Sequence, residues 1–324
     1  MQIMKIIKKY GYDLVLSDKL SDTSNCVLAL GNFDGVHIAH ATLFDAAKKL
    51  KNDIGANSVG VCCFGHTGHG SMTRSGTQSI VSTEERVRLF LEHGMDFAVV
   101  CDFEHFRSMS PSEFMSSHMR DSLGCSGAVC GQNFRFGAGR SGDTKNLSDF
   151  FGEDNVRIVD MLSVCGAVVS STKIREFIQN GDMESAREFL GKPFYINLPV
   201  SEGKRLGRRI GFPTANQSFP IGCIIPKYGI YATVCTTQGG KRYIGVSNVG
   251  VRPTIIDGTD SHAVNCETYI LDFDGNVYNQ NLKIEFYKLL REEKRFDSVE
   301  LLAQAISSDA ENARSYIESL GVEL

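Results

Sequence analysis

The chain has 324 residues, of which 42% are hydrophobic, and 34 basic side chains stand against 38 acidic ones for a formal net charge of −4. This length favours two globular domains, and the slight acidity argues against a long nucleic acid as the main partner. No apolar run reaches the roughly 18 residues of a membrane span and the first residues lack a signal peptide's apolar segment, so we expect a cytoplasmic protein without membrane partners.

Apolar strands alternate with helical segments from residue 25 to about 190. Strands are predicted for the runs NCVLAL, SVGVCCF, MDFAVVCDF, GAVCG, NVRIVDML and GAVVS. Ser110 and Glu113 form a capping box around Pro111 and mark a helix start. This alternation predicts a mostly parallel α/β sheet covered by helices on both faces. The ten cysteines include no Cys-x-x-Cys pair and several lie inside apolar runs, which indicates reduced core thiols.

The segment GNFDGVHIAH, residues 31–40, follows the first of these strands and opens a helix. A helix N-terminus offers unpaired N–H groups and a partial positive charge, and Gly31 and Gly35 let the backbone approach a phosphate closely. His37 and His40, three residues apart, lie on one side of the first turn, where their N–H groups can meet phosphate oxygens. We therefore predict a triphosphate site. Two alternatives remain open: ordinary residues of a helix start, and two ligands of a metal.

Two other motifs match known patterns but lack the neighbouring strand or helix that those patterns require. HTGH, residues 66–69, fits the nucleotidyltransferase pattern His-x-Gly-His, but the residues that follow it do not begin a helix. GAGRSG, residues 137–142, fits the dinucleotide pattern G-x-G-x-x-G, but the residues QNFRF separate it from the preceding strand. We therefore interpret both motifs as loops.

A second helix start, in the segment VVSSTKIREF, also follows a predicted strand and carries side chains that can bind phosphate. The hydroxyls of Ser170, Ser171 and Thr172 can cap the helix, while Lys173 and Arg175 can reach a phosphate group. Taken alone, this segment has an alternative interpretation, in which the hydroxyls only cap the helix and the two basic side chains are ordinary surface charges.

The pattern changes near residue 190, where antiparallel strands replace the strand and helix alternation. The runs YINLPVS, YGIYATVCTT, RYIGVSNVG, NCETYILDF and LKIEFYKLL are separated by turn signals such as QGG and FDGN. We predict an antiparallel, barrel-like domain. Terminal helices follow, with capping signals at Asp297 and Glu300 and again at Ser308 and Glu311.

The segment EGKRLGRRIGFPTAN, residues 202–216, combines glycines with cations. Gly203, Lys204 and Gly211 suit a polyphosphate, although the segment lacks the ending of a Walker A loop and a basic surface hairpin is the alternative. Thr214 and Asn216, separated by one residue, can direct two neutral oxygens to the same face of an extended segment. Such oxygens together with phosphate are a reasonable Mg²⁺ shell.

Glu267 lies in the middle of a predicted strand among apolar residues. If its side chain faces the barrel interior, it is a buried carboxylate that needs a partner or a function. If it faces outward, it is a solvated charge. The strand pattern leaves both orientations open.

Long motifs in both halves resemble one family. GNFDGVHIAH, GQNFRFGAGRSGD and SSTKIRE, followed by GRRIGFPTAN, YIGVSNVGVRPT and CETYILDFDGNVYNQNLKIEFYKLLREEKRF, resemble bacterial bifunctional riboflavin kinase/FAD synthetases from about residue 25 onward. The resemblance implies a Rossmann-like FMN adenylyltransferase domain over residues 1–190. It implies an antiparallel β-barrel riboflavin kinase domain with terminal helices over residues 191–324.

The resemblance also implies roles in the first domain. FMN phosphate would attack the α-phosphorus of ATP and release pyrophosphate, with His37, His40 and Arg175 stabilising the phosphates. The residues that place nucleotide or flavin would be Asn32, Asn133, Ser171 and Thr172.

In the second domain the resemblance implies ATP-dependent phosphorylation of riboflavin to FMN. Glu267 would accept the proton of the ribityl 5′-hydroxyl, Thr214 and Asn216 would hold Mg²⁺, and Arg291 would lie near flavin and phosphate. The implied partners are therefore the small molecules ATP, riboflavin, FMN and FAD, with no nucleic acid.

The chain departs from the family pattern at two places. Ala39 stands where the family has the glycine of His-x-Gly-His, and CCFGHTGHGS replaces a Thr-Phe-x-Pro-His-Pro segment. Two alternatives therefore stand beside the bifunctional enzyme: a riboflavin kinase with weakened or lost adenylyltransferase activity, and a flavin or nucleotide binding protein without turnover.

Overall fold

The computed structural model describes residues 5–18, 20, 22–65, 78–201, 211–256 and 259–324, with the backbone alone for 252–256 and 259–263. Its first part contains a seven-stranded sheet and five helices. The strands are β1 (Lys5–Lys9), β2 (Tyr12–Leu16), β3 (Cys26–Leu30), β4 (Ser58–Phe64), β5 (Phe97–Cys101), β6 (Cys125–Gly131) and β7 (Val156–Val159). The helices are α1 (Ile38–Asp53), α2 (Thr83–Glu92), α3 (Phe103–Phe106), α4 (Pro111–Glu113) and α5 (Thr144–Phe151).

The sheet has a parallel centre and an antiparallel edge. Its strand order is β1-β2-β5-β4-β3-β6-β7, in which β5, β4, β3, β6 and β7 run parallel and the hairpin β1-β2 is antiparallel. The parallel strands have the doubly wound Rossmann order, which reverses between β3 and β6. The predicted fold class of this half is confirmed.

Alternate residues of the strands supply two cores, one on each face of the sheet. One core contains Cys62 of β4 together with Phe114 and Met119, and the other contains Cys63 together with Phe44 of α1 and Phe90 of α2. Adjacent residues of a strand point to opposite faces, so strands covered on both sides read as continuous apolar runs. This is why the runs were recognisable in the sequence.

Two segments of this half differ from the simple alternation. The capping box at Ser110 is confirmed, but the turn α4 continues into a π-helix over Phe114–Ser122. The run GAVVS, residues 166–170, was predicted as a further strand, and it contains the two-residue strand β9 (Ala167–Val168), which pairs with β8 (Ser163–Val164) in a separate hairpin. Cys165 and Gly166 both have positive φ, at 49° and 78°, so the chain reverses there and β9 pairs back with β8.

The next part begins with α6 (Ser171–Asn180) and α7 (Met183–Leu190) and continues into a curved antiparallel sheet. Its strands are β10 (Phe194–Pro199), β11 (Thr214–Ser218), β12 (Gly229–Thr236), β13 (Arg242–Ile256), β14 (Thr259–Ile270) and β15 (Asn281–Arg291). Their order is β10-β15-β12-β13-β14-β11, and a bridge between Ser201 and Asn216 brings the two edges together. The predicted antiparallel barrel-like fold is confirmed.

One continuous helix, α8 (Val299–Ser319), closes the second part. The prediction of capping signals at Asp297 and Ser308 was wrong. The hydroxyl of Ser298 caps α8 by accepting from the Leu301 N–H at 3.2 Å. Ser308 lies within the helix, because Asp309, Ala313 and Ile317 continue its buried side at helical spacing.

Contacts between residues divide the chain into two compact units. The first contains residues up to Ser171 together with Ile221–Cys223, and the second contains the rest. Helix α7 belongs to the second unit because Glu184 accepts a hydrogen bond from Tyr316 and Arg187 stacks over the Tyr287 ring. The predicted functional boundary after residue 190 stays a prediction. Among the described residues, no helix is both long and apolar enough to cross a membrane.

The cap of α8 leads to a stability prediction. Ser298→Ala should lower the free energy of unfolding of the second unit by about 1 kcal/mol, because the Leu301 N–H loses its partner. Ser308→Ala is the matched control and should change it little, since this exposed serine lies inside the helix. Denaturant titration compares them, and equal losses would contradict a single helix capped at Ser298.

Candidate functional site

The first candidate site lies where the strand order of the parallel sheet reverses. Strands β3 and β6 are neighbours there, and their carboxyl ends are followed by Gly31 and Gln132. In open α/β sheets ligands bind at this crevice. The sequence motif GNFDGVHIAH therefore occupies the position at which this fold binds nucleotides.

The turn from β3 into α1 has an unusual backbone. Phe33, Gly35 and Val36 all have positive φ, at 53°, 82° and 44°. Gly31 is also required by close packing, because a Cβ there would lie 2.9 Å from the Phe33 ring. Non-glycine residues at positive φ carry strain, which concentrates at functional sites. The two predicted glycines thus shape a compact turn that leads directly to the helix N-terminus.

His37 and His40 stand together at that N-terminus. Their rings are stacked with centroids 3.4 Å apart, and the His37 N–H donates to His40 Nδ1 at 3.3 Å. Because Nδ1 accepts, the neutral His40 ring carries its proton on Nε2, from which it can donate to a phosphate oxygen. Ala39 lies between them within the first turn of α1.

Two buried charges brace the turn. Arg86 of α2 donates from Nη1 to the carbonyl of Asn32 at 2.7 Å and to its side-chain oxygen at 3.0 Å, and from Nη2 to the Phe64 carbonyl at 2.8 Å. Both oxygens of the Asp34 carboxylate accept from the single backbone N–H of Ile80, at 3.0 and 3.1 Å. Sequence reasoning missed Arg86, whose burial at 6% exposure is unusual for arginine and is visible only in three dimensions.

The other residues predicted for the first site differ in whether they contact the turn after β3. Ser171 donates its hydroxyl to the Asp34 carbonyl at 2.8 Å, so it contacts the turn directly. Asn133 is exposed just after β6. Thr172 and Arg175 belong to the second compact unit, and their role at the phosphates stays a prediction.

The two motifs that were interpreted as loops, GAGRSG and HTGH, can be compared with the structure only in part. GAGRSG contains a short 3₁₀ turn at Ala138–Arg140, and the helix after it is capped by Asp143 rather than by a glycine loop. It therefore lacks the strand, turn and helix arrangement of a dinucleotide site. HTGH lies outside the described residues.

The second candidate site is a cavity of about 280 Å³ in the second unit. It lies between the sheet and α8, and residues from both line it. The predicted residues among its lining are Thr214, Glu267 and Arg291. The structure thus brings together residues that are far apart in the sequence. Gly211 lies nearby in the chain with φ of 88°, whereas Gly203 and Lys204 lie outside the described residues.

Strand register builds the centre of this site. Glu267 of β14 is paired with Asn216 of β11 on one side and with Asn248 of β13 on the other. Directly paired residues share a face of the sheet. A carboxylate is therefore flanked by two amides in a row across three strands. Sequence reasoning missed Asn248, because a lone asparagine in an apolar strand gives no signal until its partners are known.

The two amides are incompletely satisfied. The side-chain oxygens of Asn216 and Asn248 are buried and accept no hydrogen bond within the described part of the chain. Buried polar atoms without partners are uncommon and call for an explanation, such as a bound ion or ligand. Amide and carboxylate oxygens are ligands that Mg²⁺ accepts. The row of Asn216, Glu267 and Asn248 therefore fits a hard divalent cation.

Glu267 takes neither of its two predicted environments. Its strand neighbours Cys266 and Thr268 are fully buried on the other face, where Thr268 joins a chain of hydroxyls with Ser247 and Thr233. Glu267 itself shares the face of Tyr269, which packs toward α8. It is partly buried and lines the cavity, so it lies outside the barrel without being a free surface charge.

Arg291 forms one end of the cavity through an ion pair. Its guanidinium binds the Asp309 carboxylate with Nε at 3.0 Å and Nη2 at 2.7 Å, and it stacks over the Phe296 ring. Asp309 is buried in α8. Such a two-point pair fixes orientation as well as charge, so it ties the end of β15 to the helix that completes the cavity.

Comparisons with known proteins cover nearly the whole chain. The FAD synthetase family matches residues 19–173 and the riboflavin kinase family matches residues 190–317. The chain is 32% identical to the bifunctional riboflavin kinase/FMN adenylyltransferase of Bacillus subtilis, over 92% of this chain and 95% of that relative. It is 30% identical to the protein of the same description from Escherichia coli K12, over 90% and 92%. These matches confirm the family resemblance.

A solved structure has the same overall fold. It is described as a macrolide-efflux protein from Streptococcus pneumoniae, and it matches with a TM-score of 0.80 and 26% sequence identity. The match covers 91% of this chain and 96% of that one.

The brace at the first site leads to a second stability prediction. Arg86→Met should destabilise the first unit by about 2–4 kcal/mol, because buried carbonyl oxygens at Asn32 and Phe64 lose their donor. Arg88→Met on the same helix should cost less than about 1 kcal/mol, since Arg88 makes exposed ion pairs with Glu85 and Glu92. Denaturant unfolding measures both. Similar losses would show that Arg86 does not brace the turn.

Proposed function

Because the chain belongs to the family of bifunctional riboflavin kinase/FMN adenylyltransferases, we propose that it phosphorylates riboflavin to FMN and then adenylylates FMN to FAD. ATP is the second substrate of both steps. The observation that carries the proposal is the row of Asn216, Glu267 and Asn248 across three strands, of which Glu267 and Asn248 line the cavity. We assign the adenylyltransferase to residues 1–190 and the kinase to residues 191–324.

Glu267 is the proposed base of the kinase step. It takes the proton of the ribityl 5′-hydroxyl as that oxygen attacks the γ-phosphorus of ATP, the bond to the β-phosphate oxygen breaks, and ADP leaves. Phosphoryl transfer needs positioning, charge stabilisation and one placed base, without a covalent intermediate. Arg291 is proposed to lie beside flavin and phosphate, with its orientation set by Asp309.

Mg²⁺ is the cation proposed for this cavity. The donors that would hold it are Asn216 and Thr214, as the sequence predicted, with Asn248 added from the structure. When bound, the ion neutralises charge on the ATP phosphates. Gly203, Lys204 and Gly211 are proposed to contact the polyphosphate from the preceding segment.

The adenylyltransferase step is assigned to the turn after β3. The FMN phosphate attacks the α-phosphorus of ATP, and pyrophosphate leaves. His37, His40 and Arg175 are proposed to donate to the phosphate oxygens as charge shifts onto pyrophosphate. The proposed contacts for nucleotide and flavin are Gly31, Asn32, Gly35, Asn133, Ser171 and Thr172.

We place the enzyme in the cytoplasm, where both flavin and ATP are available. The buried cysteines of the structure are reduced thiols, which suits a reducing compartment. A kinase with weakened adenylyltransferase activity is the second candidate, and Ala39 is the observation in its favour. The methyl group at the first turn of α1 narrows the space in which a phosphate approaches the backbone.

A time course of product formation tests the proposal. Purified protein with Mg-ATP is started in parallel from riboflavin and from FMN, and FMN and FAD are separated by chromatography. FAD from both reactions supports the bifunctional enzyme. FMN from riboflavin with no FAD from either reaction would identify a kinase alone, and tight ligand binding without product would identify a binding protein.

A pair of variants should separate the two steps. Glu267→Gln should lower FMN formation by about 10²-fold or more because the base is lost, while FAD formation from supplied FMN continues. His40→Ala should lower FAD formation by about 10²-fold and spare FMN formation. The same chromatographic assay reads both activities. Loss of both activities in either folded variant would contradict separate sites.

Asn248 should affect the metal dependence of the kinase step. Asn248→Ala should raise the Mg²⁺ concentration for half-maximal FMN formation about tenfold or more, because one oxygen donor is removed. Asn265→Ala is the control, since this buried asparagine of β14 pairs with Ser218 and does not line the cavity. An unchanged Mg²⁺ requirement in Asn248→Ala would remove this residue from the metal shell.

A further inference from the structure

Three metal-ligating side chains meet in the core of the first unit, away from the proposed catalytic residues. Cys62 of β4, Cys101 of β5 and His118 of the π-helix are all buried, and their ligand atoms lie within 4.8 Å of one another. We propose that Cys62, Cys101 and His118 form a structural site for one thiophilic divalent cation, Zn²⁺. The proposal is independent of the two activities above.

The distances between these atoms suit tetrahedral coordination. Cys62 Sγ lies 3.7 Å from Cys101 Sγ, and Cys101 Sγ lies 3.5 Å from His118 Nε2. Tetrahedral Zn²⁺ with Zn–S of about 2.3 Å and Zn–N of about 2.0–2.1 Å places its ligand atoms about 3.5–3.8 Å apart. The two sulfurs are too far apart for a disulfide, whose S–S bond is about 2.0 Å. These two distances thus match the spacing that a zinc ion requires, and the remaining pair of ligand atoms lies within 4.8 Å.

An aromatic shell surrounds the cluster. The ring of His118 lies 4.4 Å from that of Phe106 and 4.9 Å from that of Tyr12, centroid to centroid. Within the described part of the chain, the imidazole and the two thiols make weak hydrogen bonds to one another. A metal ion would satisfy all three at once, and Tyr12 or a water could fill the fourth position.

The backbone around His118 is also unusual. It lies in the middle of the nine-residue π-helix Phe114–Ser122. Segments of π-helix are rare and occur frequently at functional sites. The widened turn carries the His118 ring onto the face of the sheet that holds Cys62 and Cys101.

The electrostatics of neighbouring thiols agree with this geometry. The hydrogen bond from Cys101, aided by His118, lowers the pKa of Cys62 to about 6, while burial and the hydrogen bond with Cys62 raise the pKa of Cys101 well above its ordinary value. Burial instead raises the pKa of Cys63, the next residue on the opposite face, to about 11. Zinc binds thiolates, so Cys62 is the thiol of the cluster that is already suited to a metal, whereas Cys63 in the opposite core is not. Binding would release the remaining thiol proton of Cys101 to solvent.

A metal bound by these residues would also stabilise the backbone next to the first candidate site. The carbonyl of Cys62 accepts from the Gly31 N–H at 3.2 Å, and the carbonyl of Cys101 accepts from the Gly65 N–H at 3.2 Å. Joining the two cysteines through a metal therefore fixes the carboxyl ends of β4 and β5. It also holds the π-helix against the sheet. We expect the ion to act on stability, with no part in the chemistry.

Titration with Co²⁺ and Zn²⁺ tests the proposal. The full-length chain is purified under reducing conditions and stripped with a chelator. We expect thiolate-to-cobalt charge-transfer absorption that saturates at one Co²⁺ per chain and disappears when Zn²⁺ is added. Zn²⁺ should also raise the melting temperature of the stripped protein.

Variants locate the binding site. Cys62→Ser, Cys101→Ser and His118→Phe should each weaken Co²⁺ binding at least tenfold and abolish the thermal shift. Cys63→Ser, on the same strand but the opposite face, should bind as the parent does. Because the phenylalanine of His118→Phe preserves aromatic packing, it keeps the test valid if a serine variant fails to fold. Absence of the charge-transfer band in the parent, or its persistence in His118→Phe, would overturn the proposal.

Discussion

Strand side chains alternate between two faces, and the candidate sites of both units depend on that constraint. In the barrel, the register of β11, β14 and β13 places Glu267 between two asparagines, and a slip of one residue would turn it toward the hydroxyl chain inside. In the parallel sheet, the same alternation sends Cys62 to one core and Cys63 to the other. Strand pairing therefore positions the carboxylate and amides of the second candidate site and separates the two cysteines, whereas the histidines of the first candidate site lie on the turn after β3.

Much of the fold could be predicted because local signals were strong. Buried strands gave continuous apolar runs, and the capping box at Ser110 marked a helix start that the structure contains. The predictions that were wrong concerned choices between competing local signals. The run GAVVS does contain a short strand, but positive φ at Cys165 and Gly166 turns it into a hairpin that is separate from the parallel sheet. The serine at position 308 matched a cap, but the apolar face of α8 continued through it.

The candidate sites were only partly predictable. His37, His40, Thr214, Asn216 and Glu267 carried motif signals, whereas the side on which Glu267 lies required the packing of α8. Arg86 and Asn248 act through partners distant in sequence, so no local pattern singles them out. The cluster of Cys62, Cys101 and His118 likewise draws on three elements with no shared spacing. Residues whose importance comes from tertiary contacts remain invisible to a reading along the chain.

Because α8 forms one wall of the cavity, the cavity can be completed only late in the synthesis of the protein chain. The strands of the parallel sheet are complete at residue 159, whereas the cavity also needs Asp309. Domains fold in order as the chain emerges from the ribosome. The parallel sheet of the first unit can thus assemble while the cavity still lacks one side. The face of the antiparallel sheet that α8 later covers stays exposed until the end of the chain has been synthesised. A pause in translation between these two points would lengthen the exposure of that face to chaperones and proteases.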